Sequence, residues 1–242
     1  MNKEENITYW ADGIPLNGFI AYDESKTRER PVVLVVHEWW GLNDYSRNRA
    51  RQLAALGYFA MAVDIYGEGK TAANPIQARE MASLFYGDPL LAKARLDAAI
   101  LKIKEFEEAD ATNVAAIGYC FGGSVVLNSA KLGADLKGVV SFHGGLSGVK
   151  AIKNLLNAKI LVCHGSADKF VTRLDVEAFI QEMDSIGADY TLIEYADATH
   201  AFTNPDAGKT GKQFNMPIKY NAAADTASWN DMMKFLNGIF GS

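Results

Sequence analysis

From about residue 30 onward the chain alternates between two patterns of apolar and polar positions. Short β-branched runs, apolar at nearly every position, fall at 31–37 (PVVLVVH), 58–63, 114–117, 136–142, 160–163 and 190–194. Such runs predict strands covered on both faces, as in a mostly parallel sheet. Between them, apolar residues recur at helical spacing over 45–56, 90–108, 123–132, 174–186 and about 223–240. Strand and helix in strict succession predict an α/β fold, a doubly wound, mostly parallel sheet with helices on both faces and right-handed crossovers. The first thirty residues, with ITYW and LNGFIAY, predict antiparallel strands leading into that sheet. No repeat, low-complexity tract or Pro/Ser-rich linker interrupts the alternation, so residues 1–242 are expected to form a single domain. Ligands of such sheets bind beyond the carboxyl ends of the strands, which makes the polar residues after each run the ones that matter.

Composition narrows the function classes. With 49% hydrophobic residues in 242, the chain can bury a substantial core, which excludes disorder as its main state. Its 24 basic and 29 acidic side chains leave a net charge of -5, so no general attraction to phosphate backbones or anionic lipid exists, and neither nucleic acid nor membrane is an expected partner. The start, MNKEENITYW, lacks the apolar core of a signal peptide, and no run approaches the roughly 18 apolar residues needed to span a bilayer. Cys120 and Cys163 cannot build a disulfide scaffold, and neither sits in the CxxC pair of a structural zinc site. A cytoplasmic location without a metal is therefore expected.

The strand ending at Ile117 runs into Gly118-Tyr119-Cys120-Phe121-Gly122-Gly123 and then an apolar helix. This is the nucleophile-elbow pattern, with cysteine in the place where serine is commoner. Glycines are needed there because the nucleophile occupies a strained turn whose neighbours press against strand and helix. The helix amino end favours a thiolate and offers free N–H groups to an oxyanion. A carboxylate, Asp168, follows the KILVC strand in His164-Gly165-Ser166-Ala167-Asp168, and His200 closes the loop after TLIEY. Cysteine, acid and histidine thus come in the triad order of α/β-hydrolases, each after its own strand. The loop after the first parallel strand, His37-Glu38-Trp39-Trp40-Gly41, is the one that supplies the second oxyanion N–H, which pairs Trp39 with Phe121. Glu38 would raise the thiol pKa or pair with it when protonated, and so control when the thiolate forms.

Other features compete with these. His37 and His164 abut strands and read as structural, Asp197 is too close in sequence to face the His200 ring, and His143 is a secondary candidate for the pocket lining. Gly67-Glu68-Gly69-Lys70-Thr71 imitates the end of a P-loop, but Asp64 stands where the pattern needs its first glycine and no helix opens at Lys70, so a loop is expected. Trp39, Trp40, Phe85, Tyr86 and Phe202 are candidate pocket walls suited to apolar acyl or aryl groups.

Taken together, the cysteine elbow, the Asp168 and His200 loops and the glutamate of the first loop resemble the dienelactone hydrolase family, from about Ile14 to the carboxyl terminus. The resemblance implies an α/β-hydrolase domain without a large cap, no metal or organic cofactor, and cleavage of small esters or lactones, as by carboxymethylenebutenolidase, through a thioacyl intermediate. It makes Cys120 the nucleophile, His200 the base and then the acid, Asp168 its orienting partner, and Glu38 the residue that holds the cysteine in check. The family's dienelactone-cleaving members bind a substrate carboxylate with two arginines. Arg79 matches one, but Asn204 stands at the other place, which shifts the expectation toward neutral esters. The chain is expected to act as a monomer or small homo-oligomer. The alternative is a non-catalytic small-molecule binding module on the same fold, because a fold does not fix a function.

Overall fold

The computed structural model describes residues 2–25 and 29–241. The elements in chain order are β1 (Asn2–Ala11), β2 (Ile14–Asp23), β3 (Arg30–Val36), α1 (Asp44–Leu56), β4 (Phe59–Val63), α2 (Pro75–Gly87), α3 (Pro89–Ile103), β5 (Ala109–Tyr119), α4 (Phe121–Lys131), β6 (Gly138–Phe142), β7 (Lys159–Gly165), α5 (Arg173–Ile186), β8 (Tyr190–Tyr195), α6 (Ala207–Phe214) and α7 (Ala222–Phe240). The strands form one eight-stranded sheet in the order β1-β2-β4-β3-β5-β6-β7-β8. β1 pairs antiparallel with β2 and β2 with β4, and the remaining pairs are parallel. Among the described residues no helix is long and apolar enough to cross a membrane.

The apolar runs sort their side chains by strand period. In β3, Val32, Leu34 and Val36 enter the core on one face of the sheet, while Val33 and Val35 enter the core on the other. The first face is covered by α2 to α5 through residues such as Phe85, Leu96, Val126 and Phe179, the second by α1 and α7 through Leu53, Met232 and Leu236. Both faces are dry, which is why these strands are apolar throughout rather than alternating.

Two helices have no counterpart among those predicted. α2 is opened by Asn74, whose side chain accepts the N–H groups of Ile76 and Gln77, with Pro75 in the first turn, yet it buries only Ala78, Ala82 and Phe85. α6 buries only Ala207 and Gly211. α6 is only eight residues long, too short for helical periodicity to stand out, and the buried positions of α2 are two alanines and one phenylalanine. Conversely, the helix predicted over 90–108 ends at Ile103, where the N–H groups of Lys104, Glu105 and Phe106 turn to carbonyls three residues back. The glycine loop after β4 is a loop, as its sequence implies. Its Gly67 and Gly69 N–H groups are taken by the buried Asp64 carboxylate, at 2.9 and 2.8 Å, and not left free for a phosphate.

This topology places the site. The chain runs from β3 outward to β4 and then returns to β5 on the other side of β3, so the crevice at the carboxyl ends of β3 and β5 lies at the switch of direction. The close approach of β3, β5 and α4 there depends on glycine. A Cβ on Gly118 would collide with the Gly122 carbonyl, and one on Gly122 with the carbonyl of Val36 at the end of β3. Both obstacles are backbone and cannot rotate aside. Gly122→Ala is therefore expected to destabilise the fold by about 3 kcal/mol in chemical denaturation. A value near zero would show that the strand and helix have room to separate.

Candidate active site

β5 ends at Tyr119 and α4 begins at Phe121, leaving Cys120 alone in the turn with φ 54° and ψ -114°. A left-handed cysteine is strained, and the surrounding hydrogen bonds hold it there. Its N–H donates to the Phe142 carbonyl at 3.0 Å and to His143 Nδ1 at 3.1 Å, and its carbonyl accepts from Gly123 at 3.0 Å. Among the described residues the N–H groups of Phe121 and Trp39 have no acceptor.

The long reach from residue 120 to residue 200 closes on the sulfur. His200 Nε2 lies 3.1 Å from Cys120 Sγ, and His200 Nδ1 lies 2.8 Å from Asp168 Oδ2. The other oxygen of Asp168 accepts the N–H groups of Phe170 at 2.8 Å and Val171 at 3.1 Å. Although burial works to raise the Asp168 pKa, the His200 bond and charge together with these two N–H donors hold it below the ordinary value. Burial likewise works against charge on His200. The adjacent sulfur charge and the Asp168 bond outweigh it and push the His200 pKa up to about 10. The ring beside the sulfur is thus held as an imidazolium, with Asp168 fixing its orientation. Behind it, the main chain of His200 bridges to Ile218, and Lys219 N–H donates to the Thr199 hydroxyl at 2.8 Å, which ties the histidine loop to the segment after α6.

The first loop is fixed from below by His37. Its Nδ1 donates to the Glu38 carbonyl at 2.6 Å, its Nε2 accepts from Ile65 N–H at 3.3 Å, and burial lowers its pKa. The Tyr66 hydroxyl donates to the Trp39 carbonyl at 2.9 Å. Glu38 itself is 3% exposed. Burial raises its pKa to about 6, against the Asn204 hydrogen bond and the positive charges of His200 and Arg49. Asn204 Nδ2 donates to Glu38 Oε2 at 2.7 Å.

A cavity of about 300 Å³ opens over Cys120 and His200. Of the residues expected in its walls, Trp39, Trp40, Arg79 and Tyr86 are there, with Glu38. Arg79 is exposed, and no carboxylate among the described residues pairs with it. Four expectations need correction. Phe85 is buried against Tyr66 and Phe121, and Phe202 is fully buried against His143 and Tyr195, because both side chains point from their elements into the sheet cores. Asn204 spends its amide on Glu38 and does not line the cavity. Nor does His143, which lies beneath the elbow. The larger wall side chains that the sequence did not reveal are Phe170, Val171, Met216 and Ile218. Phe170 and Val171 were within its reach, since they adjoin Asp168, but Met216 and Ile218 follow a helix that carries little sequence signal. Asp197 is exposed in the turn before His200, and His164 is buried with its pKa lowered by that burial. Among the described residues no group of histidine, cysteine, aspartate and glutamate is arranged to hold a metal ion.

Known proteins agree with this architecture. The structure superposes on a dienelactone-hydrolase-like promiscuous phosphotriesterase from metagenomic libraries with a TM-score of 0.90 at 31% identity, covering 98% of each chain. A provisionally named carboxymethylenebutenolidase of Escherichia coli (strain K12) is 28% identical over 227 residues, 87% of this chain and 78% of that protein. The Pyrococcus furiosus esterase Pf2001 shares the fold alone, with a TM-score of 0.64 at 15% identity over 88% of this chain and 93% of that one. The family model of dienelactone hydrolases matches residues 16–240, so this chain belongs to the dienelactone hydrolase family and is a hydrolase acting on ester bonds.

Proposed function

We propose that the protein hydrolyses small neutral esters through a Cys120-His200-Asp168 triad, without a cofactor. The observation that supports this most directly is the unbroken line of hydrogen bonds from Sγ through the His200 ring to Asp168, facing a cavity. The Cys120 thiolate attacks the ester carbonyl carbon, and the carbonyl π electrons move onto oxygen. The N–H groups of Phe121 and Trp39 receive that oxyanion, a contribution that is typically on the order of 100-fold in rate. When the tetrahedral species collapses, the bond to the alcohol oxygen breaks and the His200 imidazolium gives that oxygen its proton. Neutral His200 then takes a proton from water as the water attacks the thioester, and collapse releases the acid and restores the thiolate–imidazolium pair.

The substrate class follows from what surrounds the sulfur. Trp39, Trp40, Tyr86, Phe170, Met216 and Ile218 make the walls mostly apolar. The carboxylate of Glu38 repels an anionic group, and Asn204 offers it neither charge nor a fork of donors. Apart from the His200 imidazolium, Arg79 is the one cationic side chain among the described wall residues, and it is exposed at the cavity, where water screens it. A neutral phosphotriester, the substrate type in the name of the metagenomic relative, meets the same requirements of charge and polarity.

Cys120→Ala is expected to lower hydrolysis of p-nitrophenyl acetate by about 1,000-fold or more while keeping the wild-type circular dichroism. A folded variant at the wild-type rate would refute the triad. Iodoacetamide should label Cys120 and spare Cys163, whose buried thiol is pushed up to about 12, and His200→Ala should slow the labelling. Equal labelling of both cysteines with no ester turned over would favour the binding module.

Glu38 sets a pH dependence. Above about pH 6 it is a carboxylate that opposes the neighbouring thiolate, and below that it is neutral. Glu38→Gln should therefore alkylate roughly tenfold faster than wild type at pH 7.5, and the two rates should converge as pH falls through about 6. Parallel profiles would leave Glu38 without a role in controlling the thiol. Finally, kcat/KM should be higher for neutral aryl and short-chain esters than for carboxylate-bearing lactones. A preference for the anionic lactone that disappears in Arg79→Ala would show that Arg79 supplies a carboxylate site after all.

A further inference from the structure

His143 is 1% exposed, follows β6, and adopts a positive φ of 42°. It neither belongs to the hydrogen-bonded line of Cys120, His200 and Asp168 nor lines the cavity. Its two ring nitrogens nevertheless reach both halves of that site. Nδ1 accepts the N–H of Cys120 at 3.1 Å. A nitrogen that accepts carries no proton, so the ring proton sits on Nε2, which donates to Thr203 Oγ1 at 2.7 Å. Thr203 lies three residues beyond His200 on the same loop. That loop is held in turn by Arg49, which donates to the Thr203 carbonyl at 2.7 Å, and by the Tyr45 hydroxyl, 2.7 Å from Thr203 Oγ1. The His143 ring also stands edge-on to those of His200 and Phe202, each at 5.3 Å between centroids.

We propose that His143 is a positioning residue, a neutral imidazole protonated on Nε2 that ties the main chain of Cys120 to the loop of His200 and so fixes the distance between Sγ and the His200 ring. The proposal rests on the hydrolytic reading of Cys120 and His200 above. The ring is suited to the role because one edge of the rigid five-membered ring presents an acceptor and another a donor. Burial, reinforced by the positive charges of His200 and Arg49, holds its pKa well below the ordinary value, so Nδ1 stays an acceptor. The arrangement also engages the N–H of Cys120 behind the elbow, which leaves the oxyanion to the N–H groups of Phe121 and Trp39.

The test compares His143→Phe, which keeps an aromatic body against Tyr119 and Phe202 but loses both ring nitrogens, with His143→Asn, whose Oδ1 reaches the place of Nδ1. With p-nitrophenyl acetate, His143→Phe should lose about 10- to 100-fold in kcat with KM changed by less than about twofold. His143→Asn, which keeps the bond to the Cys120 N–H but not the one to Thr203, should fall between the Phe variant and wild type. Wild-type kcat in either folded variant would overturn the proposal. Cys120→Ala in the same assay separates the two readings: if it retains hydrolysis, the triad itself has failed, whereas if it alone is inactive, only the role of His143 has. Nitrogen-15 NMR of the wild-type protein gives a result that needs neither variant to fold. An unprotonated Nδ1 and a protonated Nε2 on His143 at pH 7 support the proposal, and a proton on Nδ1 overturns it.

Discussion

Cys120 occupies a backbone conformation that a side chain resists, and the surrounding structure is arranged to make that conformation the one available. Gly118, Gly122 and Gly123 let β5, α4, the end of β3 and the loop after β6 meet backbone to backbone. With nothing larger than a hydrogen between them, the turn between β5 and α4 cannot relax sideways, and the strain at one residue is held by the packing of four elements. The same closeness puts the start of α4 beside the end of β3, so that the amide groups after the cysteine and in the loop of Trp39 share one crevice. The site is thus a consequence of how tightly the centre of the sheet is packed.

Around that centre lies a buried polar framework. Arg49 on α1 pairs with Asp225 on α7 at 2.6 Å and holds the Thr203 carbonyl, while its guanidinium lies over the rings of Tyr45, Tyr119 and Trp229. An arginine with 7% exposure is tolerable because its charge is matched and its donors are occupied. It joins two helices on one face of the sheet to the histidine loop, in the same way that His37 joins the first loop to the end of β4. Both loops are irregular backbone, the histidine loop held by Arg49 from α1 and the first loop by the buried ring of its own His37.

The electrostatics of the cavity set two opposed charges against each other. The imidazolium of His200 favours a thiolate, and the carboxylate of Glu38, buried with an uncharged partner, opposes it. Asn204 matters here through what it does to Glu38: a single amide bond stabilises the carboxylate less than an arginine would, which is why burial prevails and Glu38 titrates near pH 6.

The strands, the alternation with helices, the elbow and the order of cysteine, aspartate and histidine were legible in the sequence because each is a local pattern, set by side-chain period or by the steric demand of one turn. Glu38 and Trp39 were legible for the same reason, as they directly follow a strand. The short α6 and the mostly alanine buried face of α2 were not, and with α6 went Met216 and Ile218 as cavity walls. Which aromatic faces the cavity was equally hidden. Phe85 and Tyr86 are neighbours, yet one is packed in the core and the other lines the cavity, since a helix turns successive side chains about 100° apart and only the packing fixes its rotation. The hydrogen bond of Asn204 to Glu38 and the span of His143 between Cys120 and Thr203 join residues that are far apart in the chain. The sequence determined the fold and the chemical groups, whereas partnership among those groups depends on distances that exist only after the sheet has closed and brought its strand ends together.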